Sequence, residues 1–200
     1  MRVILVHGFN SSPEGQFIPW LAPALKDRGF EVVTPRLDLK LSEEGDLKIP
    51  ELVEQMRGQA GFITSEDVLV GHSLGAFMVL QYLEGVEMTE TPRAVVMVAP
   101  PWKVSKPELR RLFIVDLDAD VLMWKAREYV VVHSKDDTMV PIEHARKLAE
   151  AFRAKFVETD GNGHFMGEQY PVLVEVIEDI KSRPFEYAPG QSLHDELANP

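Results

Sequence analysis

This chain of 200 residues sets 21 lysines and arginines against 32 aspartates and glutamates, a formal charge of −11. That balance disfavours nucleic acid and anionic membranes as partners, because affinity for phosphate comes largely from cationic side chains. Cysteine is absent, which removes disulfides, thiolate metal sites and a cysteine nucleophile, so covalent catalysis would need serine, threonine, lysine or a carboxylate.

Apolar residues make up 45% of the chain, ordinary for a globular protein, and no apolar run approaches the roughly 18 residues of a membrane span. "MRVILVHG" has one arginine and a short apolar run before glycine, unlike a signal peptide, so a soluble, cytoplasmic protein is expected. The length suits a single domain over 1–182, burying about 70% of the surface its unfolded chain exposes.

In chain order, "RVILVHG" (2–8), "EVVTP" (31–35), "DVLVGHS" (67–73), "RAVVMVAP" (93–100), "YVVVHS" (129–134) and "AKFVETD" (154–160) predict six strands. Several are continuously apolar, as strands buried on both faces are. Helices are predicted near 17–28, 50–61, 74–84, 141–152 and 170–181; in the fourth, Ala145, Leu148, Ala149 and Phe152 form the inward stripe. This alternation predicts an α/β fold: a three-layer α/β/α sandwich around a doubly wound, mainly parallel six-stranded sheet.

Two segments break the rhythm. Residues 101–127 are too long for a simple connection; Ser105-x-x-Glu108 with Pro107 reads as a helix start, and Leu109, Leu112 and Phe113 share a stripe. The segment is a candidate lid or pocket wall, the alternative being that Phe113, Met123 and Trp124 cover the sheet end. The tail 183–200 is rich in proline, glycine and polar residues and is expected to pack loosely.

"VLVGHSLGAF" (68–77) interrupts an apolar run with Gly71-His72-Ser73-Leu74-Gly75. A serine projecting above a sheet must occupy a sharp, strained strand-to-helix turn, where the residues two before and two after it approach closely and side chains do not fit. The pattern alone is a weak signal. Downstream, "HSKDDTMVP" (133–141) places two aspartates after the fifth strand, and "TDGNGHFMG" (159–167) places His164 in a glycine-bracketed loop after the sixth. Serine needs a base to take its proton, and the base needs an orienting acid. Ser73, an aspartate and His164 all fall on loops at one sheet edge, so they can converge as a triad. Acyl transfer also needs oxyanion donors; the candidates are the backbone N–H groups of Leu74 and of Phe9 in the loop after the first strand.

These residues resemble the α/β-hydrolase superfamily: His7-Gly8, the elbow, Asp137-x-x-Val140-Pro141 and Gly163-His164-Phe165. The likeness runs from residue 2 to about 181, with the oxyanion loop already on the first strand. That stripped core is similar to the small serine hydrolases grouped with the retinoblastoma-binding hydrolase, as are "SKDDTMVP", "DGNGHF" and "MWKAREYVVV". The resemblance implies Ser73 as nucleophile, Asp137 as acid and His164 as base. Asp136 is the rival acid, and the D-x-x-V-P register selects Asp137. Without cysteine, the chain has no L-x-C-E motif of the kind used to bind the retinoblastoma protein.

The remaining candidates read blandly. His7 and His72 are expected to be structural, His133 and His144 structural or solvated, and His194 lies in the tail. Phe77, Met78 and Tyr82 are core residues, with an acyl-pocket role open to one or two. "DLDAD" (116–120) lacks the glycine and distal glutamate of a calcium loop, and no Gly-Lys-Ser/Thr motif cradles phosphate; no metal or cofactor is expected. The function expected is a serine hydrolase, carboxylesterase-like, cleaving small neutral esters; thioester and amide cleavage would use the same machinery. The alternative is a non-catalytic interaction module on the same fold. The sequence carries no signal for oligomeric state.

Overall fold

The computed structural model describes residues 1–42, 45, 47–102 and 117–184 of the chain. Each β-branched run becomes a strand: β1 (Arg2–Val6), β2 (Glu31–Val33), β3 (Asp67–His72), β4 (Ala94–Val98), β5 (Tyr129–Ser134) and β6 (Lys155–Thr159). They pair in parallel in the order β2-β1-β3-β4-β5-β6. Strands β3, β4 and β5 are buried along their whole length, whereas the edge strands β2 and β6 are part exposed. The helices are α1 (Ile18–Lys26), α2 (Ile49–Ala60), α3 (Leu74–Gly85), α4 (Ala119–Leu122), α5 (Ile142–Ala151) and α6 (Pro171–Ser182).

Successive residues of a strand face opposite sides of the sheet, and the two cores divide accordingly. Val3, Leu5, Val68, Val70, Val130 and Val132 pack with Leu21 and Leu25 of α1 and Leu173 and Ile177 of α6. Ile4, Val6, Leu69, Met97 and Val131 pack with Leu52 and Met56 of α2, the length of α3, and Ala145 and Leu148 of α5. Both faces are therefore covered, as a parallel sheet requires. Helix α3 lies inside this arrangement, with every residue from Leu74 to Leu83 buried, so its apolar character all round reflects its position.

The chain starts one strand in from the edge, steps out to β2, then returns across β1 to β3. That reversal makes the carboxyl ends of β1 and β3 a topological switch point, where open α/β sheets leave a crevice for ligands. The outward step carries α1 on one face and the later steps carry α2, α3 and α5 on the other, as right-handed crossovers demand.

The differences from the sequence reading are local. β2 stops at Val33 because Pro35 has no N–H to continue a ladder. β1 leaves the sheet at Val6, freeing His7 and Gly8 to turn. Helix α4 forms within the 101–127 insertion where no element was predicted, capped by the Asp118 carboxylate, which accepts from the N–H groups of Asp120 and Val121. Asp118 is thereby an N-cap. Trp124 is 62% exposed. The helix start at Ser105 and the apolar residues Leu109, Leu112 and Phe113 lie outside the described residues, as does most of the tail.

The amino ends of the strands are held by charge. Arg2 Nε and Nη2 donate to the two Asp67 oxygens at 3.0 and 2.6 Å, while its remaining N–H groups reach Ala60 O and Phe62 O. Asp67 also accepts from Thr64 N–H, and its side chain is 2% exposed. One guanidinium thus ties β1, β3 and the end of α2 in a bidentate geometry. Asp67→Ala should lower stability by about 3 kcal/mol, read as a fall in the urea midpoint. An unchanged midpoint would show the pair to be energetically idle.

Candidate active site

Strand β3 runs into α3 through a single residue, Ser73, at φ 52° and ψ −120°. A non-glycine residue there is strained by about 1–3 kcal/mol and persists only where its surroundings enforce it. Ser73 N–H donates to Val98 O at 2.8 Å, fixing the turn against the end of β4. Side chains at the flanking positions would collide with backbone. A Cβ on Gly71 would lie 2.4 Å from Ala76 Cα, and one on Gly75 would lie 2.3 Å from His7 O and 2.6 Å from Val6 O. The second glycine is thus demanded by β1 rather than by the first glycine. The sequence reading had only the two closing on each other.

The acid and base loops meet Ser73 from the side of β5 and β6. Ser73 Oγ lies 2.9 Å from His164 Nε2, and His164 Nδ1 lies 2.7 Å from Asp137 Oδ2. With the carboxylate as its partner, Nδ1 carries the imidazole proton, which leaves the Nε2 lone pair for the serine hydroxyl. Asp137 Oδ1 accepts from Met139 N–H and Val140 N–H at 2.8 and 2.9 Å. This Asx-type turn is the physical content of the D-x-x-V-P register. Burial works to raise the Asp137 pKa, but the His164 hydrogen bond and the Val140 and Met139 amides outweigh it and hold the carboxyl below its usual value.

Asp136 points elsewhere. Its Oδ1 accepts from Ser134 Oγ–H and from the N–H groups of Gly161 and Gly163, both at 3.1 Å. The structure thus separates the two neighbouring aspartates, placing only Asp137 on the imidazole.

Three histidines frame the site and act through backbone carbonyls. His7 Nδ1–H donates to Gly8 O at 2.9 Å, and its Nε2 accepts from Leu37 N–H. His133 Nε2–H donates to Val140 O at 2.9 Å and lies 3.4 Å from Asp137 Oδ2. His72 Nε2–H donates to His164 O at 2.9 Å, a tie across the base loop that no sequence signal announces. His144 Nδ1 accepts from Trp102 N–H. Phe77, Met78 and Tyr82 are buried in the core on the α3 side. Leu74, at the first position of α3, has no carbonyl one turn earlier for its N–H. Phe9 follows β1 half-buried, and the next amide, Asn10 N–H, is committed to Leu39 O at 2.8 Å.

Burial pushes the His72 imidazole down to about 4; its Nδ1 is buried without a partner among the described residues, so a second proton there would be an unsatisfied buried donor. A histidine whose folded pKa lies below its unfolded value stabilises the protein above the unfolded value and loses that contribution as pH falls toward the folded one. For His72 the window runs from about 6.5 to 4 and is worth about 3 kcal/mol. Burial lowers His7 and His133 in the same direction, whereas Asp137 gives up its share only below the ordinary carboxylate range. The urea midpoint should therefore fall between pH 6.5 and 4, and His72→Gln, which keeps an N–H for His164 O, should flatten that fall. Identical pH slopes in the two proteins would refute it.

Residues 3–170 match the family model described as Serine hydrolase. The YdeN protein of Bacillus subtilis (strain 168) is 23% identical over 187 residues, covering 92% of this chain and 96% of that one. The structure of that gene product aligns with a TM-score of 0.80 over 91% of this chain and 99% of the other. An α/β-superfamily protein from Xanthomonas campestris pv. campestris is 24% identical, with a TM-score of 0.60 over 90% of this chain and 94% of its own. Est1E from Butyrivibrio proteoclasticus is 14% identical, with a TM-score of 0.65 over 90% and 86%. These structures share the α/β-hydrolase fold, and the family match spans most of the chain: this protein belongs to the Serine hydrolase family.

Proposed function

We propose that this hydrolase cleaves small carboxylic esters through an acyl-enzyme, with Ser73 as nucleophile, His164 as general base and acid, and Asp137 as the orienting carboxylate. The observation that carries the reading is the unbroken relay of 2.9 Å from Ser73 Oγ to His164 Nε2 and 2.7 Å from His164 Nδ1 to Asp137 Oδ2. His164 Nε2 takes the Ser73 proton as Oγ attacks the ester carbonyl, and gives that proton to the leaving alkoxide as the C–O bond breaks. It then takes a proton from water, whose oxygen attacks the acyl carbonyl, and returns it to Ser73 Oγ as the acid departs. Asp137 stays ionised and stabilises the imidazolium formed in each half-reaction.

The two tetrahedral intermediates place negative charge on the former carbonyl oxygen. The Leu74 N–H, at the positive end of α3, supports that charge, and Phe9 N–H is the second donor. Commitment of Asn10 N–H to Leu39 O favours Phe9 over its neighbour. A neutral ester is favoured over an acyl-CoA or an anionic lipid by the net charge of −11, which repels anionic substrates. Met139 and Met166, two residues beyond Asp137 and His164, are 63% and 52% exposed and give the two loops apolar rims suited to a neutral substrate. The finer likeness to the retinoblastoma-binding group rests on "SKDDTMVP" and "DGNGHF".

Labelling with a fluorophosphonate followed by peptide mapping tests the nucleophile. The label should sit on the peptide containing Ser73 and vanish in Ser73→Ala. On p-nitrophenyl acetate, Ser73→Ala should lose about 10⁴-fold or more in kcat, as should His164→Ala with its fold intact, and Asp137→Asn should lose about 10⁴-fold. Equal turnover by wild type and Ser73→Ala would sink the acyl-enzyme. A folded wild type that neither labels nor turns over any ester would leave the interaction module as the surviving reading.

A further inference from the structure

The base of the proposed triad stands on an irregular loop. Residues 160–164 follow the exposed edge strand β6, and Gly161 and Gly163 have φ of 77° and 52°. Such a segment, with no ladder to hold it, would not by itself keep an imidazole in place 2.9 Å from Ser73 Oγ. Something else must fix it.

Three successive amides just before His164 are all engaged by the β5 loop. Gly161 N–H and Gly163 N–H donate to Asp136 Oδ1 at 3.1 Å each, and Asn162 N–H donates to Ser134 Oγ at 3.1 Å. Ser134 Oγ–H in turn donates to Asp136 Oδ1. Consecutive N–H groups converging on one side make a concavity suited to an anion, and here the anion is a side chain of the same protein. One oxygen of Asp136 thus receives three donors although the residue itself is exposed, while Ser134 is wholly buried. The Ser134 hydroxyl and the Gly163 amide also hold the Asp136 carboxyl below its usual pKa, so it stays an anion through the neutral range.

We propose that Asp136 is a positioning residue: by gripping the 161–163 backbone it sets where His164 stands, without touching substrate. The inference rests on the reading of Ser73, His164 and Asp137 as the catalytic set. It gives the paired aspartates separate tasks, Asp136 holding the main chain of the base and Asp137 its ring. His72 Nε2–H, on His164 O, holds the same residue from its other side, so the base is clamped before and at its own peptide.

The test compares Asp136→Ala with Asp136→Asn, using p-nitrophenyl acetate turnover and the far-downfield NMR resonance of the His164 Nδ1 proton bound to Asp137. An asparagine keeps an oxygen at Oδ1 for the two glycine amides; an alanine keeps nothing. Asp136→Ala should lose about 10- to 100-fold in kcat, the scale of an ångström's misplacement, with KM within about twofold of wild type, and its Nδ1 resonance should broaden or disappear. Asp136→Asn should restore kcat to within about fivefold and keep the resonance. Full kcat and an intact resonance in Asp136→Ala would overturn the proposal. So would an Asp136→Asn variant as damaged as Asp137→Asn, which would make Asp136 the acid itself. Fluorophosphonate labelling of the wild type, run alongside, separates the two readings. Absence of label on Ser73 removes the catalytic assignment, whereas the resonance still shows whether Asp136 holds the histidine in place.

Discussion

The approach of α3 to the end of β1 governs the rest of this molecule. With Gly75 packed where any Cβ would strike the Val6 and His7 carbonyls, the helix amino terminus is driven to the switch point between β1 and β3. The turn that joins β3 to α3 then has only one residue to work with. Ser73 takes the strain at φ 52° and its hydroxyl meets His164 Nε2. None of this depends on the serine being reactive. It is a consequence of packing backbones at near-contact distance: α3 against the end of β1 requires Gly75, and β3 against the first turn of α3 requires Gly71.

Around that fixed point, four histidines differ in role because they differ in acceptor. His7, His72 and His133 are buried, each donates one N–H to a backbone carbonyl, and burial pushes each toward the neutral form. A neutral imidazole bound to a carbonyl is a spacer, with little tendency to gather a second proton. His164 alone has a carboxylate at 2.7 Å on one nitrogen and a hydroxyl on the other; His133 Nε2 lies 3.4 Å from the same Asp137 oxygen but gives its N–H to Val140 O. The same side chain is thus a frame or the proposed base according to what lies opposite it.

The six strands, their parallel pairing and the helices on both faces were legible in the sequence because the signals there are local and redundant; the order of the strands was not, since it is set between segments far apart in the chain. Continuous β-branched runs mark doubly buried strands, and of the four residues of the stripe on α5, Ala145 and Leu148 are buried, Ala149 is half-buried and Phe152, just past the helix end, is buried. The elbow, the acid loop and the base loop were legible as motifs, since each is constrained within a few residues. What escaped was everything made between loops. That Gly75 answers to β1, that His72 grips His164 O, and that Asp136 reaches across to Gly161 and Gly163 are contacts between segments far apart in the chain. No periodicity records them. Helix α4 escaped for another reason: at four residues it is too short for a period to show, and its cap, Asp118, lay in an acidic run that reads equally as a solvated loop.

The two ends of the sheet divide stability from chemistry. At the amino ends, the Arg2–Asp67 pair joins β1, β3 and α2 through short, charge-assisted bonds that involve no strained backbone. At the carboxyl ends, Ser73 and Phe165 both sit at positive φ, and each must be held there by its neighbours. Phe165 is fully buried against Tyr170, with ring centroids 4.8 Å apart, so the burial of its ring offsets the conformation that turns the chain beside His164. Ser73 has no such anchor of its own and relies on Val98 O and the flanking glycines. Its side chain is only half-buried and its hydroxyl meets His164 Nε2 at 2.9 Å, so its position is enforced chiefly through the backbone on either side of it.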